Sequence, residues 1–252
     1  MLPQMPAPSF TQLDPAPLEL VVCQVRHEQL SFPGQEAWFA VHTELRDTYP
    51  IIEPHVVHDL ALNVGPHGIQ AAGEPQRGFR LKSADEAWTV ALLPQFFALE
   101  STGYTSWTDF NSRFERLVDA VERSLSPKIE QRLGLRFVDQ LHGGDAAGIQ
   151  RWSYVVDSAV AGVLNHPVLG PRVRGLESTF QIREGDFDVL VRHGAAPEAQ
   201  SYVIDTDCVR QGGRMFERHR VLADTQALHS LALQVFQSCL RPEYLGSLQA
   251  KK

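Results

Sequence analysis

The sequence predicts an α+β fold: antiparallel sheets, each covered by long amphipathic helices, in two similarly arranged halves. Three observations carry this reading. Apolar residues recur at intervals of three and four along 107–125 and again along 224–240, the period of a helix with one buried stripe. A pair of strand-like runs precedes each of these helices, 87–102 before the first and 187–210 before the second. Strands strung in meanders, with helices between the groups, argue for antiparallel sheets with one covered face. The halves match in their order of elements and not in residue identity, so a single α+β domain without an internal repeat fits the same pattern.

Residues 1–17 are rich in proline and lack the basic start and apolar core of a signal peptide, so they read as a flexible arm. The first half spans 18–144. It opens on an apolar strand over 18–25, then a helix to about Asp47 whose inner stripe is Trp38, Val41, Leu45 and Tyr49. Pro50 and Pro54 close that helix, and 55–64 alternates as a strand. Strands at 78–82, 87–93 and 96–102 follow, broken by Ser83-Ala84-Asp85 and Pro94. Ser106 then caps the clearest helix, with Phe110, Phe114, Leu117, Val118, Val121 and Leu125 inside. It leads into Arg132-Leu-Gly-Leu-Arg-Phe137, a strand that faces Leu133, Leu135 and Phe137 one way and Arg132, Gly134 and Arg136 the other. Two guanidiniums beside a glycine need open water or an anionic partner.

His142-Gly143-Gly144-Asp145 marks the boundary to a second half over 145–252. There a helix is predicted over 152–164, with Val155, Ala159, Val160 and Val163 inside, stopped at Asn165-His166-Pro167. Strands at 175–183, 187–193 and 201–210 come next. The last helix opens at Asp224, carries Leu228, Leu231, Val235, Phe236 and Leu240, and ends or kinks at Pro242.

Hydrophobic residues at 43% and charged residues at 21% are ordinary for a globular chain of 252 residues. A formal charge of -7 argues against a dedicated nucleic-acid binder without excluding a local basic patch. Cys23, Cys208 and Cys239 are widely spaced in apolar stretches and read as reduced core residues. No apolar run approaches the ~20 residues of a membrane span. The glycine-rich nucleotide loops, the zinc-protease pair, the hydrolase elbow and the EF-hand loop are all missing. Lys82 and Lys128 are the internal lysines left for Schiff-base or phosphate chemistry.

His55-x-x-His58 leads into an alternating strand, where residues three apart face away from each other, so the pair is weighed against metal binding. His27, His42 and His229 lie far apart and read as individually satisfied or solvated. The carboxylates say more. Asp186-x-Asp188 and Asp205-x-Asp207 sit on consecutive strands. Aligning the apolar faces by pairing Val189 with Ile204 and Val191 with Tyr202 sets Asp188 opposite Asp205 and Asp186 opposite Asp207. Four like charges on one face call for water, arginines or a cation. Arg183, Arg192, Arg132 and Arg136 are the compensating candidates, and magnesium or manganese is the metal alternative. Further on, Arg210, Arg214, Arg218, His219 and Arg220 surround Gly212-Gly213, as either a mobile basic loop or a solvated hairpin tip.

Several segments occur in a recognisable order: the strand from Leu18, Phe79-Arg80-Leu81, Tyr104-x-x-Trp107-x-x-Phe110, the Arg132 run, and Tyr202-Val-Ile-Asp-Thr-Asp207 ahead of a Leu228-His229 helix. Across nearly its whole length the chain so resembles a sporadically distributed, uncharacterised prokaryotic family of similar length. Phe137-Val138-Asp139 stands where the resemblance implies a tyrosine and an asparagine-type ending. The resemblance supplies no reaction, cofactor or catalytic residue. Its patchy distribution implies genes that travel in mobile or defence modules.

The leading expectation is a non-enzymatic cytoplasmic interaction protein without a cofactor, an antitoxin-like or defence-system component. It would hold a protein partner through Arg132, Arg136, Arg210, Arg214, Arg218 and Arg220, with nucleic acid less favoured and no membrane involved. One alternative is a metal-dependent enzyme acting on a phosphate-containing substrate, with Asp186, Asp188, Asp205 and Asp207 holding magnesium or manganese. Another is a small-ligand-binding protein with its cavity between sheet and long helices.

Overall fold

The computed structural model describes residues 5, 7–8, 16–30, 35–57, 61–65, 68–72, 76–142, 149–197 and 200–249. Most of the expected N-terminal arm, His58 and the boundary residues Gly143, Gly144 and Asp145 lie outside them. The elements of the first half are β1 (Leu18–His27), α1 (Gln35–Leu45), β2 (Ile51–Val57), β3 (Ala61–Gly65), β4 (Gly68–Ala72), β5 (Gln76–Lys82), β6 (Trp88–Leu93), β7 (Phe96–Ser101) and α2 (Trp107–Leu125). Those that follow are β8 (Ile129–His142), α3 (Ser158–Ala161) among short 3₁₀ turns, β9 (Leu176–Glu184), β10 (Phe187–Ala195), β11 (Ser201–Met215), α4 (Arg218–Ser238) and α5 (Pro242–Gln249).

The class is α+β, as the patterning predicts. The expected separate sheets are instead one nine-stranded antiparallel sheet, ordered β2-β5-β6-β7-β1-β8-β11-β10-β9, beside a two-stranded β3-β4 hairpin. β1 and β8 make the difference. They pair directly, with Val21 opposite Phe137, Cys23 opposite Leu135 and Val25 opposite Leu133, and this fuses the two meanders. About that central pair the order is mirrored: β7, β6 and β5 run outward on one side, β11, β10 and β9 on the other. α2 follows β7 and α4 follows β11.

The inward row of β8 is the alternation Leu133, Leu135, Phe137, Asp139, Leu141. It meets Cys208, Thr206, Ile204 and Tyr202 of β11, in the pairs Leu135–Cys208, Phe137–Thr206, Asp139–Ile204 and Leu141–Tyr202. The long helices contribute the expected apolar stripes. Phe114 is fully buried and Phe236 is 5% exposed. Phe110 rests on Trp88 of β6 at 5.9 Å between rings, and Phe114 on Phe97 of β7 at 6.5 Å. Ser106 caps α2 by accepting a hydrogen bond from the Asp109 backbone N–H at 3.2 Å. The three cysteines are buried and free.

Four local expectations are revised. The helix predicted over 152–164 is broken into 3₁₀ turns around the four-residue α3. Asp157 caps it at one end and Gly162, at φ +49°, terminates it at the other, so Ala159 and Val163 are exposed. α4 opens at Arg218, a turn and more before Asp224. Pro54 lies within β2, which tolerates it as the edge strand of the sheet. Pro242 starts α5, where a missing N–H costs nothing.

Candidate functional site

The outward face of the central strands is a lattice of ion pairs. Arg136 donates two hydrogen bonds to Asp205, at 2.7 and 2.9 Å, and Arg192 adds a third at 3.1 Å. Arg132 lies over Gly134, where a Cβ would stand 2.6 Å from its Nη1, and reaches Asp207 at 3.6 Å. Arg183 grips Asp188 bidentately, both bonds at 2.7 Å, and each member shifts toward its charged form through that hydrogen bond. Asp186 is exposed in the β9–β10 turn.

The register explains why the four aspartates do not converge. β10 and β11 pair Arg192 with Asp205, Leu190 with Asp207 and Asp188 with Val209. The apolar alternation fixes which face each aspartate takes, but any even slip preserves it. The observed slip sets an arginine opposite Asp205, where the expected one opposed two carboxylates. Among the described residues no group of three or more His, Cys, Asp or Glu stands ready to hold a metal ion.

The segment read as a basic loop is structured. β11 extends through Met215 and α4 opens at Arg218. A bulge at Gln131 reverses the alternation of β8, so that Glu130 comes to lie opposite His27 and Arg214 and is fully buried. Arg210 donates to its Oε1 at 2.5 Å and Arg214 to its Oε2 at 2.9 Å. The Asp224 carboxylate of α4 stands 3.3 Å from Arg210 and 2.7 Å from Arg214, in ion contact rather than in aligned hydrogen bonds. Arg218 is held by Glu115 and Asp119 of α2, and Arg220 lies 3.1 Å from Glu217. The six arginines expected to contact a partner are all engaged with acids of the chain itself. Arg136 and Arg220 keep substantial exposure, at 44% and 50% of the side chain.

A different place carries polar groups without partners. Between β8, β11 and α4, closed on one side by residues 16–18, lies a small, half-open cavity of about 60 Å³. Tyr104, Phe137 and Phe236 form apolar walls, and Asp139, Thr206 and His229 supply the polar positions. Thr206 Oγ1 and His229 Nδ1 are buried without a hydrogen-bond partner among the described residues. Asp139 is 8% exposed, and burial alone pushes its carboxyl well above the usual carboxylate range. His229 stacks on Trp107 with ring centres 3.9 Å apart and planes 4° from parallel. Burial lowers its imidazole to about 4, so the ring is neutral at pH 7. Tyr104 is pushed up to about 12, first by burial and then by the Asp139 carboxylate. Trp107 is fixed by a 2.7 Å hydrogen bond from its indole N–H to Gln226.

None of these residues was selected from sequence as a site, and His229 departs from the expectation of a satisfied or solvated ring. One signal was present. The alternation that turns Leu133, Leu135 and Phe137 inward also turns Asp139 inward, an acid in an apolar row.

No family model matches the chain, and no curated protein does. Among solved structures, the di-domain ARO/CYC StfQ from the steffimycin biosynthetic pathway is similar at 10% identity, covering 86% of this chain and 97% of that chain, with a TM-score of 0.14. A likeness of that degree supports no statement about fold or function.

Proposed function

We propose that the protein binds a small, largely apolar molecule in the cavity between β8, β11 and α4. One observation carries this reading: Asp139, Thr206 and His229 converge on an otherwise apolar cavity, and no described residue hydrogen-bonds the Asp139 carboxyl, Thr206 Oγ1 or His229 Nδ1. Buried polar groups without partners cost about 1–3 kcal/mol each, so a site holding three of them is built to be completed by something else. Apolar walls with a few convergent polar groups are the ordinary make-up of a ligand pocket. The two long helices are taken to lie over the sheet as its cover, with the pocket beneath α4, and the working compartment is taken to be the cytoplasm. A protein partner gripped by arginines has less support, because those side chains already satisfy acids of the same chain.

The test uses Nile red, a neutral dye that brightens in dry apolar surroundings. Its emission should rise with the wild-type protein and fall back in Leu233→Trp, which fills the cavity from a half-buried lining position. Equal emission with both proteins, or none with either, overturns the reading.

A further inference from the structure

We propose, building on the pocket reading above, that the ligand is an organic amine, its ammonium group seated on Asp139, Thr206 and His229 and its apolar body lying along α4 toward Phe236. Three acids are buried among the described residues: Glu130, Asp139 and Asp205. Glu130 holds two arginines and Asp205 holds two. Asp139 holds none, and among the described residues no arginine or lysine lines its cavity. The fold supplies cations generously to its other buried carboxylates, so the bare one is the exception that needs an account. Left alone, the Asp139 carboxyl is held by burial in the protonated form, and an ammonium from outside the chain would restore the charge and complete the pair.

The neighbouring groups narrow the class further. A primary ammonium offers three N–H donors. Facing it are the Asp139 carboxylate, the Thr206 hydroxyl oxygen and His229 Nδ1, which accepts when the ring carries its proton on Nε2. Because His229 is neutral it adds an acceptor and no repelling charge. The rings of Tyr104 and Phe137 line the same cavity and add cation–π attraction to a desolvated ammonium. An alcohol brings one donor where an ammonium brings three, and it carries no charge to pair with Asp139.

The experiment compares phenethylamine with phenethyl alcohol, which share a body and differ in the polar group, by calorimetric titration into the whole chain and into Asp139→Asn. The amine should bind at least about tenfold tighter than the alcohol, and Asp139→Asn should erase that preference. A preference for the alcohol, no measurable amine binding, or a preference that survives in Asp139→Asn overturns the inference. If any of these occurs while Nile red binding stays sensitive to Leu233→Trp, the amine class alone is refuted; if that sensitivity is absent, the pocket reading fails with it. Should Asp139→Asn not fold, Thr206→Val carries the test, with weaker amine binding expected and unchanged binding overturning the proposal.

Discussion

Replacing Glu130 by glutamine removes one negative charge and leaves two guanidiniums facing a neutral amide inside the protein. In the wild type the carboxylate is fully buried and takes Arg210 on one oxygen and Arg214 on the other, with side chains only 11% and 23% exposed. Asp224 remains, but its contacts are less well aligned and it must then balance two arginines alone. Removing one member of a buried ion network costs about 3–5 kcal/mol, mostly as the penalty of the charges left behind. For a chain of this size each kcal/mol shifts the melting temperature by about 2–4 °C, so Glu130→Gln should melt about 6–20 °C lower. Urea unfolding supplies the free energy, and an unchanged slope would confirm that stability rather than compactness has moved. Arg183→Ala, which breaks an exposed pair, serves as the control and should leave the midpoint where it was. A Glu130→Gln protein within about 1 kcal/mol of wild type would refute the claim that this cluster ties β8, β11 and α4 together.

Two further outcomes can be stated. Phe114→Ala deletes a fully buried ring that packs on Phe97, and should cost about 3–5 kcal/mol in chemical denaturation. Acidification tests His229: its imidazole is lowered from 6.5 to about 4 in the folded state, so between those values the unfolded chain binds the extra proton. Stability from this group is therefore whole above about pH 6.5 and lost as pH falls toward 4, on the order of 3 kcal/mol at about 1.4 per unit of pH. A melting-temperature profile should show that fall flattened in His229→Phe.

Much of the fold was legible because its signals are local. The Ser106 cap, the stripe from Phe110 to Leu125 and the two faces of the Arg132 run each follow from residues within a turn or two of one another. The β1–β8 pairing was not, because nothing local to either strand names a partner more than a hundred residues away. The Asp188–Asp205 register failed for a related reason. Alternation sets the face, while the slip is decided by which charges meet, and Arg192 opposite Asp205 wins over carboxylate opposite carboxylate. Arg210 and Arg214 looked like a basic tip because the acids that hold them, Glu130 and Asp224, come from other elements. A cavity between sheet and helices was among the expectations, but its polar residues were not legible, because Thr206 and His229 come from other elements and meet Asp139 only in the folded chain.

The central pairing also bears on how the protein is made. β1 lies between β7 and β8, and its outer edge toward β8 stays open until residues 129–142 have been synthesised. During that interval a valine-rich strand lacks the partner that pairs its backbone groups on this side, and such an edge is a template for unwanted strand addition. The gap between β1 and β8 thus sets a window of vulnerability during translation, and it closes only when the second meander begins.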